Sequence, residues 1–83
     1  PRTTGLQVEF GYVVEKSLIE KGDWVFFKTN GSTQINHVGL VTQINPNKVI
    51  FIHASSSKGI REDDLNQSYW AQSFVQALRP FKR

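Results

Sequence analysis

The sequence predicts an α+β fold that is mostly β: an antiparallel meander sheet of four or so strands with short helical turns. Three observations point there. Runs of aromatic and β-branched residues recur along the chain, each of strand length, as in Trp24–Lys28, Asn36–Ile44 and Val49–Ser55. Turn residues punctuate them: Asn30-Gly31, then Asn45-Pro46-Asn47, then Ser56-Ser57-Lys58-Gly59. No stretch sustains a helical period beyond a turn or two.

Taken in order, Thr3 or Thr4 is placed to cap a short helical turn over Gly5–Phe10, which Gly11 ends. Ser17 and Glu20 have capping-box spacing, but Gly22 follows so soon that one turn is the most that fits. Asp23 supports the next turn through side-chain to backbone bonds. Trp24–Lys28 then reads as a buried strand. Two further strands follow, containing His37 and His53, joined around Pro46, whose φ is fixed near −65°. Leu65–Ser73 holds a helical turn beneath Tyr69 and Trp70. Phe74–Phe81 is a last strand, which Pro80 forces to an edge or an end. Trp24, Phe26, Phe27, Phe51 and Trp70 are expected in the core.

Composition bounds the function. The 83 residues make one small domain, which buries about 60% of the surface its unfolded chain exposes. No apolar run nears the roughly 18 residues of a membrane span. The chain has no signal peptide and does not begin with methionine, so it reads as a mature or excised piece. Net charge is +3, with Arg79, Lys82 and Arg83 crowding the C-terminus and an acidic knot at Glu62, Asp63 and Asp64. A basic tail attracts polyanions, but the plainer reading is a solvated chain end. The aromatic and lysine interleaving lacks the pattern of an RNA-binding sheet, so nucleic acid is not an expected partner. With no cysteine there is no disulfide, no thiolate metal site and no thiol nucleophile.

The chain's two histidines, His37 and His53, carry the chemistry. They are sixteen residues apart, and alternate residues of a strand share a face. An odd hairpin loop such as Asn45-Pro46-Asn47 pairs residue 44 with 48, 37 with 55 and 39 with 53. Both imidazoles then face one side on a diagonal, and Gly39 lies opposite His53 and leaves the ring room. An even loop sends them to opposite faces unless a bulge intervenes. On one face they form a base and its orienter, serving a nucleophile from elsewhere; otherwise they are two unrelated sheet residues. Two histidines without a third ligand make a poor zinc site, and the acidic knot is not obviously near, so neither metal nor cofactor is expected.

Several motifs, in order, resemble the NlpC-type cell-wall cysteine peptidases of bacteria. "PRTT" at Pro1–Thr4 resembles the segment that follows the family's catalytic helix. "KGDWVFFKT" is similar to its Gly-Asp-Leu-Val-Phe-Phe strand, and "HVGLV" to the segment whose histidine is the general base. "FIHASSSKGI" is similar to the segment whose histidine orients that base, and "YWAQSFVQALRP" to the closing strand. The likeness runs nearly end to end, though the hairpin "TQINPNKV" is longer than the usual form by what reads as an even number of residues.

This resemblance implies a papain-like NlpC domain, with residues 1–83 as its C-terminal, sheet-forming part. It implies hydrolysis of stem-peptide amide bonds in peptidoglycan, with His37 as base and His53 as orienter. Ser55, Ser56 and Arg2 are implied near the substrate, although a turn role for the serines and a surface role for Arg2 are as natural. It implies a location in the cell envelope or outside the cell. The family's cysteine lies on a helix before the Pro-Arg segment, so it is expected upstream of Pro1, and the missing N-terminal part of the same domain becomes an expected partner. The chain alone is then expected to be inactive. An apolar patch is expected on the face of His37, around Phe27, Val41 and Phe51, where the helix would pack. The rival reading is a non-catalytic SH3-like module binding cell wall or polyanion.

Overall fold

A computed structural model describes residues 11–55 and 57–81. The expected helical turn over Gly5–Phe10, and Arg2 and Ser56, lie outside those residues. Among the described residues, six strands form one sheet: β1 (Gly11–Val14), β2 (Trp24–Phe27), β3 (His37–Asn45), β4 (Lys48–Ser55), β5 (Gly59–Asp64) and β6 (Phe74–Pro80). A short helix, α1 (Ser68–Ser73), precedes β6, and a single 3-10 turn spans Lys16–Leu18. The sheet order is β1-β6-β2-β3-β4-β5, and every pairing is antiparallel. Strands β2 to β4 run as the expected meander, and β5 extends it beyond the strands the sequence predicts. The last strand returns to fill the place between β1 and β2, so Pro80 is tolerated because it ends β6 rather than because β6 is an edge.

Local chemistry explains the segments. Ser17 lies inside the 3-10 turn rather than capping it. Asp23 closes the next turn as expected: its Oδ2 accepts from the Glu20 N–H at 2.8 Å, with Gly22 supplying a φ of 95°. Asn30 and Gly31 both take positive φ, 56° and 75°, and the Ser32 N–H donates to the Thr29 carbonyl at 3.1 Å. That is the turn their sequence favours. The returning chain is tied down by Asn36. Its Oδ1 accepts from the Thr29 N–H at 2.8 Å, and its own N–H donates to the Phe27 carbonyl at 3.0 Å.

The β3–β4 hairpin corrects the odd-loop expectation. Asn45 pairs with Lys48, so the loop is the two residues Pro46 and Asn47. Left alone, that even loop would put the histidines on opposite faces. A bulge between Val41 and Gln43 absorbs one residue, and beyond it Val41 pairs with Phe51 and Leu40 with Ile52. Continued one step, this register sets Gly39 opposite His53. A Cβ on Gly39 would stand 2.5 Å from Phe51 Cδ2 and 3.2 Å from the Ile52 carbonyl oxygen, so close packing holds the position to glycine.

One face of the sheet holds the core: Val14, Val25, Phe27, Val41, Phe51 and Ala77, with Ile19 and Leu65 from the connections. The expected apolar patch around Phe27, Val41 and Phe51 is therefore not there. These three side chains are at most 1% exposed. Trp70 of α1 packs on Phe27 and Phe51, with ring centroids 5.0 and 5.2 Å away. Exposed apolar side chains instead mark the opposite face: Val13 and Trp24 flank the buried Leu78 in the pairings, and Val38 stands on β3. Trp24, expected in the core, is 39% exposed because strand alternation turns it away from Val25 and Phe27.

Candidate active site

His37 opens β3 and shares the core face with Phe27, its partner across the ladder. His53 lies on β4 two residues beyond Phe51, so it faces the same way. The rings meet: His37 Nε2 is 2.8 Å from His53 Nδ1, with the planes at 78°. Trp70 braces both, stacked on His37 at 27° and edge-on to His53, with centroids 5.5 and 4.8 Å away. The His53 side chain is only 3% exposed, whereas His37 is half-buried and lines the neighbouring cavity. Burial lowers the pKa of His37, and the nearby His53 lowers it further, so its neutral form prevails at neutral pH.

A third side chain joins them. His53 Nε2 is 2.7 Å from Asp63 Oδ2. Asp63 belongs to the acidic knot that the sequence did not place near the histidines. Strand β5 brings it there: Arg61 pairs with His53 and Asp63 with Phe51, which sets Asp63 diagonal to His53 on the same face. Arg61 Nε donates to Asp63 Oδ2 at 3.2 Å, and Nη2 to Oδ1 at 3.4 Å. The sequence hid this strand because "GIREDD" carries neither β-branched enrichment nor an apolar alternation beyond Ile60. A signal existed nonetheless. Gly59 after the serine run permits a tight turn, with a φ of 72°, and the hairpin it closes aligns Arg61 and Asp63 with the face of His53.

The rings open on a cavity of about 710 Å³, whose wall includes Asn36, Ser55, Ser57 and Tyr69. Ser55 lines this cavity and also does turn work: its Oγ accepts from the N–H groups of Ser57 and Lys58 at 3.3 and 3.2 Å. Among the described residues, no cluster of three or more His, Cys, Asp or Glu side chains is arranged to hold a metal ion. No helix among them is long and apolar enough to cross a membrane.

Residues 1–79 match the model of the NlpC/P60 family. The probable endopeptidase NlpC of Escherichia coli (strain K12) is 40% identical over 79 residues, which cover 95% of this chain and 49% of that protein. Murein DD-endopeptidase MepS/Murein LD-carboxypeptidase of the same strain is 37% identical over 83 residues, covering 100% and 41%. The chain spans at most about half the length of these curated relatives. A solved Staphylococcus aureus structure, described as similar to lipoprotein of the NLP/P60 family, superposes with a TM-score of 0.68 at 26% identity. It covers all of this chain and 27% of that one. A Bacillus cereus NlpC/P60 protein has the same TM-score at 24% identity, covering 87% and 23%, and shares the fold. With a match running over nearly its whole length, the chain belongs to the NlpC/P60 family.

Proposed function

We propose that these residues form the proton-handling half of a peptidoglycan endopeptidase, a cysteine peptidase acting on stem-peptide amide bonds in the cell envelope. The observation that carries this reading is the 2.8 Å contact between the two imidazoles at the rim of a cavity. The chain has no cysteine, so the nucleophile is a thiol from outside these 83 residues. His37, neutral because burial lowers its pKa, accepts the thiol proton as base. The thiolate attacks the amide carbon, and the amine departs with the proton from His37, leaving a thioester. Water then attacks the thioester while His37 takes its proton, which returns to the departing thiol. His53 orients His37 and transfers no proton to substrate. Ser55, on the wall, is placed to contact the peptide, and Arg2 and Ser56 remain candidates for the same role.

The test is release of stem-peptide fragments from purified peptidoglycan. The 83-residue chain should release none, and the intact polypeptide carrying it should be active. His37→Ala in the intact polypeptide should nearly abolish turnover, and His53→Ala should cost less. Cleavage by the short chain, or full activity of His37→Ala, would overturn the assignment.

A further inference from the structure

Both ring nitrogens of His53 are engaged, Nδ1 by His37 at 2.8 Å and Nε2 by Asp63 at 2.7 Å. In a neutral ring one proton serves two contacts, and the nitrogen that carries it decides the state of His37. A carboxylate only accepts hydrogen bonds. Facing one, His53 carries its proton on Nε2 and donates it to Asp63. Its Nδ1 then accepts, so His37 must donate through Nε2–H. That leaves Nδ1 of His37 unprotonated, the state a base requires. With the opposite tautomer of His53, Nδ1–H would donate to His37 Nε2. The proton of His37 would then sit on Nδ1, and no base would remain.

We infer that Asp63 is a positioning residue that orders the tautomers of both imidazoles and keeps the outer nitrogen of His37 free to accept a proton. The inference rests on His37 being the base. Three observations support it. The contact is sheltered, with the His53 and Asp63 side chains 3% and 14% exposed. Arg61 donates to both oxygens of Asp63, which holds the carboxylate in its orientation. Around the cavity the charged or titratable groups facing the pair are Asp63 and Arg61 on β5, Lys58 in the turn before it and Tyr69 on α1, so Asp63 is the one carboxylate among the described residues there.

The test compares Asp63→Asn, Asp63→Ala and Asp63→Glu in the intact polypeptide, by kinetics and by 15N chemical shifts of the imidazoles. The carboxamide of Asn donates to His53 Nε2 and drives the proton to Nδ1, so Asp63→Asn should move the His37 proton to Nδ1. It should lower kcat on the order of 10²-fold with KM nearly unchanged, by the same logic as a triad whose orienting acid is amidated. Asp63→Ala, which imposes neither tautomer, should mix the two and lower kcat roughly tenfold. Asp63→Glu should restore the wild-type tautomers and most of kcat. Unchanged tautomers and kcat in Asp63→Asn would overturn the inference. If that variant loses its folded amide spectrum, Asp63→Ala decides alone: mixed tautomers with reduced kcat support the role, and an unchanged kcat removes it. An active His37→Ala would sink the base assignment itself, whereas an inactive His37→Ala beside an unaffected Asp63→Asn would sink only the role of Asp63.

Discussion

Asp23 and Asp63 both face an arginine, one in each half of the sheet, and the fold uses them differently. Asp23, immediately before β2, is fully buried. Arg79 of β6 donates through Nε to Oδ1 and through Nη2 to Oδ2, each at 3.0 Å, and the Glu20 N–H adds a bond of 2.8 Å. Arg79 Nη2 also donates to the Leu18 carbonyl at 2.8 Å, and the bonds to Asp23 raise its pKa above the ordinary value. That carboxylate is committed to fixed donors and ties the turn before β2 to the last strand. Asp63 has a looser arginine, 39% exposed and at 3.2 and 3.4 Å, and lends an oxygen to an imidazole. The lesson is that an aspartate–arginine pair is not one kind of object. What the remaining lone pairs meet decides whether it holds structure or governs a proton.

The sharpest test of that contrast is Asp23→Ala. Removing this buried carboxylate, which accepts from the half-buried Arg79 and from the Glu20 N–H, should lower the unfolding free energy by roughly 3 kcal/mol. Urea denaturation measures it, and the 15N signals of the imidazoles should stay in place; a loss under about 1 kcal/mol would show that Asp23 is not structural. One strand over, on the core face of β3, Gly39→Ala sets a methyl against the buried ring of Phe51. It should cost about 1–3 kcal/mol and disturb the His53 signals, since the Phe51 and His53 rings lie tilted against each other with centroids 4.9 Å apart. Asp63→Ser should cost about 1 kcal/mol, chiefly by leaving a buried imidazole nitrogen short of its partner. A loss matching that of Asp23→Ala would erase the distinction between the two sites.

The smallest expected effect is in the pH dependence of stability. The folded-state pKa of His37 lies below the unfolded value, so between the two the unfolded chain binds more protons. The contribution of His37 is therefore fully present above about pH 6.5 and is lost as pH falls through its folded pKa. Unfolding followed from pH 7.5 downward should show this slope, and His37→Gln should flatten it. A slope of opposite sign would mean that His37 is charged in the folded protein.

Much of this was legible in the chain. Strands β2, β3, β4 and β6, α1 and the Asn30-Gly31 turn were read from adjacent residues. The spacing of His37 and His53 points to one shared face, but through a loop of the wrong parity. The structure reaches that arrangement with a two-residue loop and a bulge. Asp63 was seen only as part of a charged knot, since a strand of "GIREDD" shows itself only through its pairing with β4. The apolar patch was expected on the face of His37, yet Trp70 and the core close over Phe27 and Phe51, and Trp24 and Val38 are exposed on the other side.

The sequence by itself determined strands β2, β3, β4 and β6, the Asn30-Gly31 turn and the family. All of these are written in neighbouring residues whose backbone preferences and ordered motifs act locally. Only the tertiary structure decided the insertion of β6 between β1 and β2, the bulge between Val41 and Gln43, and the meeting of His53 with Asp63. Those outcomes depend on register between distant segments. A single extra residue in one strand turns every side chain beyond it to the other face, and no local preference records on which strand that residue will be absorbed.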